Sequence, residues 1–327
     1  MTRQLSVSAE AWPLARPFAI SRGTKTEAQV VVAEITDGDA VGRAECVPYP
    51  HYGESVESVA EQARSIADDI INGAGREDVL GLLSAGAARN AVDCALWDLE
   101  AKLTGKRAWE LAGTPAPEST TTAETIGLGS VEDMAAAAQR LNSSPLIKVK
   151  LDAEDVIERM AAIHENAPDA RLIIDPNEGW NLELLADVAG QLAEMGVEMI
   201  EQPLPADADD GLAEFSCPVP ICADEACHIT GDLDRLRGKY AMINIKLDKT
   251  GGLTEALTLA QAATEAGFAI MIGCMVGTSL AMAPATLLAP FARFVDLDGP
   301  LLLKQDREPG LAFSDGCVHP PEPDVWG

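Results

Sequence analysis

The chain of 327 residues is poor in basic side chains. It has 24 lysines and arginines against 52 aspartates and glutamates, which gives a net charge of −28 at pH 7. A charge of this size and sign repels nucleic acids and anionic membrane surfaces. We therefore expect no polyanionic partner, and the few lysines become informative wherever they cluster.

Cysteine and histidine are also scarce. The seven cysteines are spread along the chain without a Cys-x-x-Cys pair, and the four histidines lie far from one another. These counts argue against a disulfide framework and against a zinc site built from thiolates or imidazoles. A reducing cytoplasm is the expected location.

Long apolar runs are missing as well. No run reaches the ~18 apolar residues of a membrane span. Residues 1–12 alternate polar and apolar side chains and have neither the basic start nor the apolar run of an export signal. We therefore expect a protein that is neither membrane-spanning nor exported.

The first third of the chain predicts a small α+β domain. Alternation of polar and apolar residues over 4–49 indicates an antiparallel sheet. Two stretches follow, at 55–71 and 86–103, whose apolar residues recur at helical spacing. Pro115 and Pro117 lie in a polar connector that marks the predicted boundary of this domain.

The rest of the chain alternates short apolar runs with longer amphipathic stretches. This βα repetition predicts an α/β fold with a (β/α)8-type barrel over residues 116–310. An open doubly wound sheet is the alternative, but its usual Gly-x-Gly-x-x-Gly turn is missing, because Gly127-Leu-Gly129 lacks the third glycine. The predicted strands are 125–128, 146–151, 171–175, 198–203, 220–224, 241–247, 269–275 and 293–298.

Charged side chains follow most of these strands, at the ends where a barrel of this kind carries its chemistry. A single carboxylate at a strand end is usually a helix cap or a solvated loop residue. Three consecutive strands that end in an acid within apolar runs instead require a paired or bound cation. Oxygen ligands suit Mg²⁺ rather than zinc or a transition metal. The residues, each about one βα unit from the next and hence at one level, are Lys150, Asp175, Glu201, Asp224 and Lys246.

Lysines end two strands on opposite sides of the predicted ring. Lys148 and Lys150 share one face of the second strand, and Lys246 ends the sixth. A surface pair is the alternative for the first two, which their apolar flanks disfavour. Like-charge repulsion and a nearby metal are expected to lower the pKa of these lysines towards that of a base. One lysine on each face of a carbon acid predicts racemisation or epimerisation through an enediolate that the cation stabilises.

The order of these motifs resembles the enolase superfamily and, within it, the muconate-lactonizing subgroup. The motifs are Lys-x-Lys, Asp-x-Asn, Glu-Gln-Pro, Asp-Glu and Asn-Ile-Lys. The likeness is greatest to the L-Ala-D/L-Glu epimerases, a family of bacterial dipeptide epimerases, and spans nearly the whole chain. It includes Tyr52-Gly-Glu-Ser55, Gly86-Ala-Ala-Arg-Asn90 and Asp296-Leu-Asp-Gly-Pro300.

The resemblance implies an isomerase with one Mg²⁺ per subunit, bound by Asp175, Glu201 and Asp224. Lys150 and Lys246 would be the two acid/base groups. The implied reaction inverts the Cα of the C-terminal residue of L-Ala-L/D-Glu-like dipeptides, in the metabolism of cell-wall peptides. The expected partner is this small molecule, and a homo-oligomer stays open.

The resemblance also implies how the substrate is enclosed. Residues 1–115 would cap the barrel, with loops near 20–25 and 47–55 closing over the substrate, and residues 311–327 would return to the cap. Aspartates matching Asp296 and Asp298 receive the ammonium group of the dipeptide in the family. The implied substrate-binding residues are Arg22, Lys25, Lys148, Asp296 and Asp298.

One position departs from the family pattern. Close relatives bind the γ-carboxylate of the glutamyl residue with an arginine in the loop where this chain has Lys25. A lysine still neutralises a carboxylate, but as a point charge without the bidentate fork of arginine. An acidic second residue therefore stays the expectation.

Other activities of the subgroup remain as alternatives. A cycloisomerase, an o-succinylbenzoate synthase or an N-acylamino acid racemase would use the same site, but their substrates lack the free amine that Asp296 and Asp298 would bind. A non-catalytic barrel is the alternative from another class. The complete set of five ionisable residues at the strand ends argues against it.

Overall fold

A computed structural model describes residues 3–327, and its first part is an antiparallel sheet covered by helices. Strands β1 (Gln4–Ile20), β2 (Gly23–Asp37) and β3 (Ala40–Cys46) lie in that order in the sheet. The predicted helix at 55–71 is divided at Ile66, and the one at 86–103 is a single helix. The helices are α1 (Val56–Ser65), α2 (Ala67–Ile71), α3 (Arg76–Leu82), α4 (Ala87–Thr104) and α5 (Ala108–Ala112).

Helix α4 is the centre of this first part, which we call the cap. All its residues from Ala87 to Leu99 are buried, because small side chains let β3 and the barrel approach it from different sides. Gly42 of β3 shows how close the approach is. A Cβ atom there would lie 2.2 Å from the carbonyl oxygen of Ala95, so only glycine fits.

The second part is a parallel sheet of eight strands that curls into a barrel. Each strand lies within three residues of the predicted bounds. The sheet closes where the amide of Ala123 donates to the carbonyl of Val295 at 2.8 Å, beside the first and last strands. The strands are β5 (Glu124–Ile126), β6 (Leu146–Lys150), β7 (Arg171–Asp175), β8 (Val197–Glu201), β9 (Ile221–Ala223), β10 (Met242–Ile245), β11 (Ala269–Ile272) and β12 (Phe294–Val295).

Helices cover the outside of the barrel unevenly. The connections after β8 and β12 contain only short 3₁₀ turns, at 210–214 and 299–302. None of the helices within residues 3–327 has both the length and the apolar character needed to cross a membrane. The barrel helices are α6 (Val131–Arg140), α7 (Val156–Asn166), α8 (Leu182–Glu194), α9 (Leu233–Leu236), α10 (Leu247–Thr250), α11 (Leu253–Glu265) and α12 (Ser279–Met282).

A ring of apolar side chains fills the barrel interior at the end away from the cap. Neighbouring strands contribute one side chain each, so the ring is a floor without a channel. Because side chains alternate along a strand, the residue two positions later points inward again, nearer the carboxyl end. The ring consists of Ala123, Leu146, Ile173, Met199, Cys222, Met242, Met271 and Phe294.

The end of the chain contacts both parts of the molecule. Strands β13 (Phe313–Ser314) and β14 (Cys317–Val318) pair with β4 (Thr120–Thr121) at the start of the barrel. Trp326 is fully buried, and its indole N–H donates to the carbonyl of Cys94 in α4 at 3.1 Å. The domain boundaries at 115 and 310 stay a prediction.

We expect Trp326→Ala to lower the free energy of unfolding by ~3–5 kcal/mol, because it leaves a cavity against α4. Leu103→Ala is the control, because Leu103 lies on α4, against which Trp326 packs, but is 48% exposed. It should change the free energy of unfolding by less than ~0.5 kcal/mol. Urea unfolding followed by circular dichroism measures both. Equal midpoints for the two variants would contradict the packing described.

Candidate functional site

A cavity of about 530 Å³ lies between the carboxyl ends of the barrel strands and the cap. The barrel contributes charged side chains, and the cap contributes residues of two segments, 18–25 and 49–52. Phe18, Ile20 and Leu302 line the apolar part of the wall. No pattern in the sequence indicated these three, because they meet only in the folded chain.

Strand alternation carries the charged residues into this cavity. Lys148 and Lys150 lie two and four residues beyond the ring residue Leu146, and Asp175 lies two beyond Ile173. The same step leads from the ring to Glu201, Asp224, Asp296 and, in two steps, Lys246. The barrel interior therefore changes from apolar to charged within two to four residues along each of these strands.

Lys148 is the centre of one group of charges. Its ammonium nitrogen lies 2.7 Å from Glu201 Oε2, 2.8 Å from Asp296 Oδ2 and 3.3 Å from Asp175 Oδ2. Lys150 Nζ contacts the same Asp175 oxygen at 2.5 Å. Asp175 and Glu201 are fully buried beneath these lysines.

Asp224 is the centre of a second group. Its Oδ2 accepts a hydrogen bond from Lys246 Nζ at 2.5 Å, and its Oδ1 accepts one from Lys249 Nζ at 2.5 Å. Lys249 also donates to the backbone carbonyls of Asp224 and Asn244, at 2.6 and 2.9 Å. Lys249 was not among the predicted site residues, although it lies about one helical turn after Lys246 in the sequence.

The protein groups around Lys148 and Lys246 do not produce the expected lowering of their pKa, and the part expected from a bound metal stays a prediction. Burial acts to lower the pKa of both, but carboxylates outweigh it and raise the pKa, chiefly Asp296 for Lys148 and Asp224 for Lys246. The reason is geometric, because each ammonium group touches carboxylates of neighbouring strands. Repulsion between two lysines on one strand affects their pKa less than these carboxylates do.

The carboxylates respond in different directions. Burial acts to raise the pKa of Asp175, but Lys150 and Lys148 lower it to about 2. Burial likewise opposes Lys246 and Lys249, which hold the pKa of Asp224 well below its usual range. Burial and Asp175 together raise the pKa of Glu201. Glu201 is thus the carboxylate whose charge is least compensated.

The donor set fits a hard divalent cation. Asp175, Glu201 and Asp224 provide buried carboxylate oxygens, the ligands that Mg²⁺ prefers. Glu201 Oε2 lies near Lys148 Nζ but without the geometry of a hydrogen bond, and Asn177 Oδ1 is buried without a hydrogen-bond partner in the described part of the chain. Within residues 3–327 no three acidic, histidine or cysteine side chains surround one point, and ammonium groups lie between the carboxylates.

Asp296 and Asp298 also line the cavity, and Asp296 contacts Lys148 at 2.8 Å. Asp298 Oδ2 accepts the amide of Thr125 at 2.8 Å, and Asp296 Oδ1 is buried without a hydrogen-bond partner among residues 3–327. Burial and the neighbouring Asp296 raise the pKa of Asp298 to about 7. A cationic group of a ligand would relieve both carboxyls.

Arg22 and Lys25 both reach the cavity, but only Arg22 is bound to the protein. Arg22 donates to Glu225 Oε1 at 2.6 Å, to the hydroxyl of Tyr49 at 2.9 Å and to the carbonyl of Asn177 at 2.9 Å. Lys25 makes no hydrogen bond or ion pair within residues 3–327, and its ammonium lies 5.2 Å from the ring centre of Tyr49. Lys25 is therefore the cation left for a ligand.

Two family models match the chain. The N-terminal domain of the mandelate racemase / muconate lactonizing enzyme family matches residues 2–113, and the enolase C-terminal domain-like model matches residues 132–324. The chain belongs to this family. The predicted membership of the enolase superfamily and the predicted α/β fold are confirmed.

Similar proteins of the family are racemases and epimerases. The chain is 49% identical to L-Ala-D/L-Glu epimerase of Escherichia coli K12, covering 97% of this chain and 99% of that one. It is 45% identical to N-acetyl-D-glutamate racemase of a Pseudoalteromonas species, covering 91% of this chain and 95% of that one. The chain is an isomerase, as predicted.

Solved structures of this family superpose closely. An enolase family member from Agrobacterium tumefaciens with homology to dipeptide epimerases, bound to sodium and L-Ala-L-Glu, is 50% identical with a TM-score of 0.97, covering 99% of this chain and all of that one. Dipeptide epimerase from Cytophaga hutchinsonii, complexed with Mg and D-Ala-L-Val, is 27% identical with a TM-score of 0.91, covering 98% and 94%.

We expect Lys148→Met to lower the free energy of unfolding by ~3–5 kcal/mol in metal-free buffer, because it leaves three buried carboxylates without their shared cation. Lys106→Met, at an exposed position, is the control and should change stability by less than ~0.5 kcal/mol. Urea unfolding measures both. A Lys148→Met variant as stable as the control would contradict the proposed charge balance.

Proposed function

We propose that this isomerase is a Mg²⁺-dependent dipeptide epimerase that inverts the Cα of the C-terminal residue of L-Ala-L-Glu and similar dipeptides. One observation carries the proposal. Lys150 and Lys246 end the second and sixth strands of an eight-stranded barrel and line the same cavity. Strands four apart in a ring of eight lie opposite each other, so a substrate between them has one lysine on each face.

The two lysines would exchange a proton at the substrate Cα. One lysine, in its neutral form, removes the proton from one face while the other, as an ammonium, donates a proton to the opposite face. Their roles reverse for the opposite epimer. Lys150 contacts Asp175 and Lys246 contacts Asp224, each at 2.5 Å, so each base has a carboxylate that fixes its position.

Asp175, Glu201 and Asp224 would hold the Mg²⁺. When bound, the ion supplies positive charge beside the substrate carboxylate, which makes the adjacent Cα proton more acidic. The same carboxylates contact Lys150 and Lys246. The magnesium in the similar Cytophaga hutchinsonii structure supports this choice of metal.

Asp296 and Asp298 would bind the free amine of the dipeptide. Both are buried at the cavity wall, and Asp296 Oδ1 lacks a hydrogen-bond partner within residues 3–327. An ammonium group placed there satisfies that oxygen and removes the repulsion between the two carboxyls. This contact favours a dipeptide over an N-acyl amino acid.

N-acetylglutamate racemisation is the second candidate, because a relative with that name is 45% identical. Its substrate carries the same glutamate carboxylates and the same Cα. It has a neutral amide where a dipeptide has an ammonium group. Two buried carboxyls would then face an uncharged acetyl group, which we expect to weaken binding.

We expect Mg²⁺-dependent exchange of the Cα proton of the glutamyl residue of L-Ala-L-Glu in deuterium oxide, lost after EDTA treatment. Proton NMR measures the exchange. Lys150→Ala should abolish exchange from one epimer and Lys246→Ala from the other, since each lysine serves one face. N-acetyl-glutamate is the comparison substrate.

Two outcomes would overturn this assignment. No Cα exchange across a panel of dipeptides would remove the epimerase function. Full activity of Asp298→Ala, with N-acetyl-glutamate turned over as fast as L-Ala-L-Glu, would instead favour the racemase.

We expect Lys25→Met to lower kcat/KM for L-Ala-L-Glu by about 10- to 100-fold relative to L-Ala-L-Gln, whose side chain has the same shape but no charge. The reason is the loss of a charge-assisted hydrogen bond to the side-chain carboxylate. Arg22→Met is the matched control. It should lower kcat/KM for both substrates by the same factor, since Arg22 binds groups of the protein. If the preference for L-Ala-L-Glu over L-Ala-L-Gln were lost in Arg22→Met and kept in Lys25→Met, Arg22 and not Lys25 would bind the side-chain carboxylate.

A further inference from the structure

The backbone that follows Lys246 is held by the cap. Lys246 precedes α10, and its carbonyl accepts the amides of Lys249 and Thr250, both at 3.0 Å. Gly251 and Gly252 then reverse the chain into α11. We call residues 246–252 the lysine turn. Its shape fixes where the Lys246 side chain starts.

Arg89 of α4 binds the carboxyl end of this turn. Its guanidinium donates to the carbonyl of Thr250 at 2.6 Å and to the carbonyl of Gly251 at 3.0 Å. Arg89 is itself buried. A rigid fork on two successive carbonyls fixes both the position and the orientation of the peptide unit between them.

Asp248 is the second contact between the lysine turn and the cap. Its Oδ1 accepts the side-chain amide of Asn90 at 2.8 Å and the backbone amide of Val47 at 2.9 Å. Asn90 follows Arg89 on α4, and Val47 directly follows strand β3. Two elements of the cap therefore meet on one carboxylate of the turn.

Glycines let the turn and the cap come this close. Gly251 and Gly252 have φ angles of +73° and +110°, which disfavour other residues. A Cβ on Gly251 would lie 2.4 Å from Arg89 Nε, and one on Gly252 would lie 2.3 Å from Asp93 Oδ2. The lysine turn and the cap can therefore make this close contact in only one relative position.

Lys150 has no such support from the cap. Within residues 3–327, no hydrogen bond joins residues 146–155 to residues 3–113. The barrel itself holds this segment: the amide of Leu151 donates to the carbonyl of Asp175 at 3.2 Å, and the indole of Trp180 donates to the carbonyl of Asp152 at 2.7 Å. The two lysines thus differ in what positions them.

We infer that Arg89, Asn90 and Asp248 are positioning residues for Lys246, so that the cap controls one of the two proton transfers and leaves the other to the barrel. This inference rests on the proposed function. Displacing a reacting group by ~1 Å can slow a reaction about 100-fold. Removing one of these contacts is therefore expected to slow proton transfer on the face served by Lys246 more than on the face served by Lys150.

Single-lysine backgrounds separate the two faces. In Lys150→Ala only Lys246 can exchange the Cα proton, and in Lys246→Ala only Lys150 can. Adding Arg89→Met is expected to slow exchange about 10- to 100-fold in the first background and by less than about twofold in the second. Arg107→Met is the matched control, because Arg107 donates to two backbone carbonyls, of Pro321 and Gly327, away from the lysine turn. It should leave the ratio of the two rates unchanged.

Amide hydrogen exchange followed by mass spectrometry tests the contacts between the cap and the lysine turn without an activity assay. Arg89→Met should speed exchange in residues 247–252 and leave residues 146–152 unchanged. Asp248→Asn serves in both measurements if Arg89→Met does not fold. Equal slowing of both proton-transfer faces, or equal amide exchange in both segments, would overturn the inference. If neither parent single-lysine variant exchanges the Cα proton, the proposed function fails, and the amide measurement still decides whether the cap holds the turn.

Discussion

The organising constraint of this molecule is the burial of charge at one end of the barrel. Asp175, Glu201 and Asp224 are fully or almost fully removed from water. A carboxylate in that position is stable only beside a cation. The lysines on neighbouring strands provide it, and the apolar ring beneath fixes how far each strand carries its charge inward. Position, protonation and chemistry at the site all follow from this pairing of acids and lysines.

The same constraint explains why the cap is part of the site and more than a cover. The lysine turn carries both Lys246 and Lys249, and the two ammonium groups bind the two oxygens of Asp224. Because Arg89 and Asp248 tie that turn to the cap, the charge balance inside the barrel is linked to contacts made outside it. Neither part places this pair of lysines alone.

Much of this arrangement follows from two periods in the sequence. Alternation along each strand puts Lys148 and Lys150 on one face, and the near-constant βα spacing puts Asp175 and its successors at one level, so the barrel and its charged residues are predictable. The direction of the Lys246 pKa shift is not, because it depends on distances to carboxylates that are far away in the chain. The partners of Arg22 and the contacts of Lys249 cannot be predicted from the sequence for the same reason. The pairing of β14 with β4 joins segments nearly 200 residues apart and has no local pattern.

The apolar floor of the barrel has a kinetic consequence. With side chains from Ala123 round to Phe294 sealing the far end within residues 3–327, substrate and product must use the same opening, past the segments at 18–25 and 49–52. A product molecule therefore has to leave before the next substrate molecule can enter. Passage through that opening is therefore common to both directions of the reaction.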